Sequence, residues 1–189
     1  MYNKINIIMK SIYITICLFL CVTFTYGQEK FLTKQGEVSF FSSTPIEDIK
    51  AENHQVLSII DTKDGSLAIA ILMKSFMFEK SLMQEHFNEN YVESDTYPKA
   101  IFKGKIKDFN SLNLNTNEVV ITGDITIHGV TKSIETKAKL IKTADSLLLN
   151  GTFTIQIADF DISIPSVVAN NIAENLNIDF KLNHNPYNK

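Results

Sequence analysis

The sequence predicts an all-β chain, an eight-stranded antiparallel barrel with one or two short helices. Three observations carry that expectation. Eight strand-like runs follow one another, several alternating apolar and polar side chains, the mark of a strand with one buried face. The connections between the later runs are a few residues long, which makes neighbouring strands antiparallel. A barrel and a two-sheet sandwich both satisfy such a pattern. The long runs, about ten to twelve residues, favour a tall coiled barrel because sandwich strands are usually shorter.

The runs are 36–43, 55–61, 66–73, 99–108, 117–128, 132–142, 146–157 and 175–183. In the fourth, Ala100, Phe102, Gly104 and Ile106 share one face and Lys103, Lys105 and Lys107 the other. In the fifth, Ile121, Gly123, Ile125 and Ile127 oppose Thr122, Asp124 and Thr126. The sixth sets Ile134, Thr136, Ala138 and Leu140 against Glu135, Lys137 and Lys139. The seventh sets Leu149, Gly151, Phe153 and Ile155 against Asn150, Thr152 and Thr154, and the eighth Ile178, Phe180 and Leu182 against Asn177, Asp179 and Lys181. The third is apolar on both faces, so a cover is expected on its outer side. Gly129-Val130-Thr131 and Thr143-Ala144-Asp145 are read as turns.

Two segments read as short helices. Thr44-Pro45-Ile46-Glu47 and Ser81-Leu82-Met83-Gln84 both fit the capping box, the first with proline at the first helical position. Behind the second, Met83, Phe87 and Tyr91 share one face, either packed on the barrel or forming a lid over its mouth. The segment 165–174 reads as a third helical or irregular stretch. There is no internal repeat, low-complexity tract or linker, so one domain is expected.

Composition narrows the function. The 189 residues carry 44% apolar and 21% charged side chains and a net charge of −3, an ordinary globular balance. All 18 basic residues are lysine. Without arginine there is no planar fork for guanine or phosphate, and with the negative net charge nucleic acid is not an expected partner.

Residues 1–27 read as a signal peptide. Lys4 and Lys10 start it, an apolar stretch 12–24 follows, and Thr25 and Gly27 are small enough for cleavage after Gly27. The apolar stretch is short for a bilayer span, although a retained anchor is the competing reading. Lipidation at Cys21 fits poorly because Leu20 stands where a small residue is needed. The barrel domain is then 28–189, in a periplasmic or secreted protein with no stable membrane span after cleavage. Cys17 and Cys21 leave with the leader, so the domain depends on its core without disulfides.

Gly104, Gly123 and Gly151 fall on the apolar faces of their runs. Inward glycines either leave room for a ligand or let strands coil. A cavity among 13 phenylalanines would suit an elongated apolar ligand oriented by a few polar groups at one end.

Catalytic signals are weak. His54, His86, His128 and His184 do not pair at metal-ligand spacing. Glu85, His86 and Glu89 form the nearest acid–base cluster, lacking the second histidine of a zinc helix. There is no nucleophile elbow, phosphate loop or dinucleotide fingerprint. No catalytic residue, metal or cofactor is assigned.

Several stretches carry a family resemblance. They are Phe76-x-Phe78, then Leu82-Met83-Gln84-Glu85-His86-Phe87-Asn88-Glu89-Asn90-Tyr91, then Tyr97-Pro98-Lys99-Ala100-Ile101-Phe102-Lys103-Gly104, and Gly123-Asp124-Ile125-Thr126-Ile127-His128-Gly129-Val130-Thr131-Lys132. In this order they resemble the YceI-like family, over most of 36–182. The resemblance implies an exported, lipocalin-like barrel that binds polyisoprenoid-type lipid in its interior. Two departures, Gln35-Gly36 where many members have His-Ser and Lys132 where arginine is common, bear on the head group more than on the apolar tail.

The expected function is non-enzymatic binding of an isoprenoid, quinone-like or similar long apolar chain. Alternation and resemblance together place its tail against Phe76, Phe78, Phe87, Phe102, Ile121, Ile125, Leu149, Phe153 and Phe180, with His86 or His128 meeting the head. The alternatives are a hydrolase or isomerase using the same barrel and an exported scaffold with a filled core. A homodimer is left open.

Overall fold

The structure, a computed structural model, describes residues 30–113 and 115–187; the expected signal peptide and its cysteines lie outside the described residues. Nine strands are present among the described residues, β1 (Lys30–Ser43), β2 (Asp48–Asp61), β3 (Ser66–Leu72), β4 (Met77–Phe78), β5 (Lys99–Ile106), β6 (Asn115–Ile127), β7 (Val130–Lys142), β8 (Leu147–Gln156) and β9 (Asn175–Pro186). Eight of them close an antiparallel barrel in the order β1-β9-β8-β7-β6-β5-β3-β2, with β2 returning to β1. β4 is a two-residue addition to β2. One helix, α1 (Ser81–His86), continues into a wider π-type turn, Phe87–Tyr91.

The barrel has a capped end and a filled end. At the capped end lie the β1–β2 turn, the long β3–β5 connection with α1, the β6–β7 turn and the segment 157–174. Toward the other end the interior is solid. Ile60, Leu67, Ile106, Leu140, Leu147, Leu149 and Leu182 are all buried there. The polar pair His184 and Ser58 is buried among them, with His184 Nε2 2.8 Å from the serine hydroxyl.

β1 and β2 begin earlier than the alternation suggested. In β1, Phe31 and Thr33 point inward, then Gly36, Val38 and Phe40; in β2, Ala51 and Asn53 do, then Val56, Ser58 and Ile60. The inward parity therefore flips once in each strand, at the bulges where the β1–β2 register shifts around Gly36. A bulge inserts one residue and moves later side chains to the other face.

Other local expectations change. Thr44–Glu47 is no helix, because β1 and β2 pair as far as Ser43–Asp48. Only four residues remain, and Thr44 Oγ1 accepts from the Glu47 and Ile46 backbones in a tight turn. Lys80, not Ser81, occupies the N-cap of α1, with no side-chain cap bond. Gln84 instead accepts from the Phe78 backbone. The β6–β7 turn is His128-Gly129, both at positive φ (50° and 76°) between the paired Ile127 and Val130, the geometry of a two-residue hairpin. Within 165–174 only Ala169–Asn171 forms a 3₁₀ turn. Among the described residues, nothing supplies the expected cover over β3. Its outer face carries Ala68, Ala70 and Leu72, and Leu72 and neighbouring Leu57 remain exposed.

Candidate functional site

The capped half of the barrel is hollow. An inner cavity of about 140 Å³ lies along the axis, and among the described residues lining it Thr136 alone has a polar side chain. Phe102, Ile121 and Ile125 supply one wall from β5 and β6, and Phe153 and Phe180 the other from β8 and β9. Strand alternation aims all five inward, as the sequence indicated. A second, outer cavity of about 170 Å³ shares Phe40, Phe87, Val92, Ile162 and Leu176 with the first.

Four rings lie at the junction. Phe40 and Phe87 contact each other and both Phe76 and Phe78, with centroids 5.0 to 5.7 Å apart, in tilted and edge-to-face arrangements favoured by aromatic quadrupoles. They come from β1, the start of the β3–β5 connection, β4 and the turn after α1. The helical stripe Met83, Phe87 and Tyr91 lines the outer cavity, and Phe87 also packs into the core.

The outer cavity is also where polar groups gather. Ser42, Glu47, His86, Tyr91 and Asn171 line it. Glu47 accepts from Lys80 Nζ at 2.7 Å and from Asn171 Nδ2 at 3.3 Å, joining the β1–β2 turn, the start of α1 and the 157–174 segment through one carboxylate. The Lys80 bond, helped by the Asn171 bond, holds the Glu47 carboxyl below its usual range. Buried Ser42 accepts from the Ala173 backbone at 2.8 Å and pins the same segment to β1.

Of the residues singled out from the sequence, Phe76, Phe87, Phe102, Ile121, Ile125, Phe153 and Phe180 line the inner cavity, and Phe78 and His86 the outer one. Two lie elsewhere. Leu149 is fully buried in the filled half, because its strand crosses from the solid end to the hollow one. His128 serves the β6–β7 turn: its Nδ1 is 3.1 Å from the Phe160 carbonyl, and its ring meets Tyr97 at 4.5 Å, edge-on. Tyr97 also lies against Gly129, where a Cβ would come within 2.7 Å of the ring. The Tyr97-Pro98 and His128-Gly129 stretches thus meet in space as a structural contact outside both cavities.

Sequence reasoning missed the polar mouth. In the sequence Glu47 fits a capping box, and Ser42 and Asn171 carry no local signal. Among the described residues, no three His, Cys, Asp or Glu side chains are grouped to hold a metal, and no helix is long and apolar enough to cross a membrane.

Solved structures share this fold. A polyisoprenoid binding domain from Saccharophagus degradans, implicated in plant cell wall breakdown, superposes with a TM-score of 0.74 at 17% identity, covering 85% of this chain and 100% of that one. BcnA of Burkholderia cenocepacia gives 0.67 at 18% identity, over 78% of this chain and 95% of that one. The Campylobacter jejuni YceI protein gives 0.62 at 17% identity, over 77% and 90%. No curated protein shows significant sequence similarity to the chain. The YceI-like domain matches residues 22–184, and with that match the chain belongs to the YceI-like family.

Proposed function

We propose that this chain is an exported, non-enzymatic carrier that holds an isoprenoid or quinone-like lipid, with its tail in the inner cavity and its polar head in the outer one. The observation that carries the reading is the polarity gradient between two adjoining cavities. The inner has apolar walls interrupted only by Thr136, while the outer gathers Ser42, Glu47, His86, Tyr91 and Asn171. A site of that kind recognises a long amphiphile end-on. Each methylene moved from water into the inner cavity contributes about 0.8 kcal/mol, offset by the cost of ordering the chain. The similarity to a polyisoprenoid binding domain supports the same ligand class. An ionised Glu47 at the mouth favours a head that donates a hydrogen bond, such as a hydroxyl or amide.

Native mass spectrometry of the purified protein tests the proposal. A co-purifying lipid of polyprenyl mass, or uptake of a polyprenol in vitro, is the expected result. Repeated absence of both would overturn it.

A further inference from the structure

One stretch of the barrel wall has no role in the reading above. β7 and β8 pair from Lys142–Leu147 to Ala138–Gly151 and stop there. Toward the capped end, Ser133 to Lys137 and Thr152 to Gln156 no longer pair across, although β7 stays paired to β6 and β8 to β9 throughout. Continuing the register would set Thr136 opposite Phe153 and Ile134 opposite Ile155. Instead the strands part, and these four side chains line the inner cavity. The Thr152 and Thr154 hydroxyls bond Asp179 and Asn177 of β9 and do not reach across the gap. The gap is bounded at both ends. At one, Thr136 Oγ1 is 3.4 Å from the Thr152 carbonyl. At the other, His128 meets the Phe160 carbonyl and Lys132 Nζ is 3.6 Å from Asp159.

Size gives the gap a purpose. An apolar void of about 150 Å³ holds a benzene-sized hydrocarbon. Cavities of about 140 and 170 Å³ therefore hold a chain on the order of a dozen carbons. A polyisoprenoid of many five-carbon units is longer. The filled half of the barrel blocks it below, and the clasped polar mouth blocks it above. Among the described residues, the unpaired stretch between β7 and β8 is an apolar break in the wall of the hollow half.

We infer that this gap is a lateral slot, a binding site for the distal part of a linear hydrocarbon chain, walled by Ile134, Thr136, Phe153 and Ile155. The inference rests on the proposed lipid binding and adds where a chain too long for the cavities goes. It makes chain length, not head group, the property the slot reads.

A single cysteine tests it. In the full chain with Cys17 and Cys21 changed to serine, Thr136→Cys places a thiol at the slot and Lys139→Cys one on the outer face of the same strand. Each protein, free of lipid or loaded with decaprenol or geraniol, is treated with a charged maleimide, and native mass spectrometry confirms loading. Decaprenol is expected to slow labelling of Thr136→Cys by about tenfold, as a site that buries most of its ligand covers its own walls. Geraniol, short enough for the cavities, leaves the rate within about twofold, and Lys139→Cys responds to neither. Bound decaprenol without protection overturns the slot, as does equal protection by geraniol or an unreactive Thr136→Cys in the lipid-free protein. If neither prenol binds, the carrier reading is overturned, and the slot with it.

Discussion

Gly104 faces Gly123 directly across the β5–β6 ladder, and the ring of Phe102 lies over both. The space these glycines vacate is therefore occupied by an aromatic ring and does not enlarge the cavity. A Cβ on Gly104 would fall 2.2 Å from the Thr122 carbonyl oxygen, and one on Gly123 2.4 Å from that of Lys103. Backbone atoms in a ladder cannot withdraw as a side chain can. Gly151 differs: its nearest neighbour is the tip of the Phe180 ring, at 2.8 Å.

That difference predicts a ranking. Gly104→Ala is expected to cost about 3 kcal/mol, the upper part of the range for overpacking, and Gly151→Ala about 1 kcal/mol because a ring can tilt. Urea unfolding of the three proteins measures it. Equal losses would show that the backbone contact is not what sets the cost.

The clasp at Glu47 predicts how the lid responds to acid. Hydrogen bonding from Lys80, then from Asn171, lowers the Glu47 carboxyl pKa from its ordinary 4.5. A carboxylate depressed on folding contributes its stability in full above the unfolded value and loses it as pH falls through the lowered folded value. The lid is thus expected to stay closed at pH 5 and to loosen only in stronger acid. Glu47→Gln should loosen it at neutral pH. Amide hydrogen exchange over 81–91 and 165–173 reads the change; exchange in Glu47→Gln that matches the unmodified chain at pH 7 would rule out a clasp.

Much of this architecture was legible because a half-buried strand writes its burial into alternate residues. Ile121, Ile125 and Ile127 on β6 and Leu149 on β8 are buried as the pattern indicated. Legibility failed where the period slipped. In β1 the inward set passes from Thr33 to Gly36 and in β2 from Asn53 to Val56, so the first half of each strand looked irregular. The apolar lining could be read for the same reason as the strands. The mouth could not, because Glu47, Lys80 and Asn171 meet from three connections far apart in sequence. The β7–β8 gap was equally hidden: Ile134 and Thr136, or Phe153 and Ile155, alternate identically whether or not the strands pair.

The filled half of the barrel carries the last prediction. His184 is fully buried, its Nδ1 3.1 Å from the Leu147 carbonyl and its Nε2 2.8 Å from Ser58 Oγ. The neutral ring satisfies both, with Nδ1–H donating to the carbonyl and Nε2 accepting from the hydroxyl. Desolvation by the surrounding core pushes the imidazole pKa below its ordinary 6.5, against the opposing pull of the Leu147 and Leu182 carbonyls. The unfolded chain therefore takes up a proton before the folded one does. Stability is complete above the unfolded value and declines as pH falls from there through the lowered folded value. One such group sets a slope of at most about 1.4 kcal/mol per pH unit. His184→Gln keeps a donor and an acceptor in the core but does not titrate, so its stability should fall less steeply between pH 7 and pH 5. Urea unfolding of both proteins across that interval supplies the comparison. Parallel curves would mean that His184 is not the group through which mild acid weakens the fold.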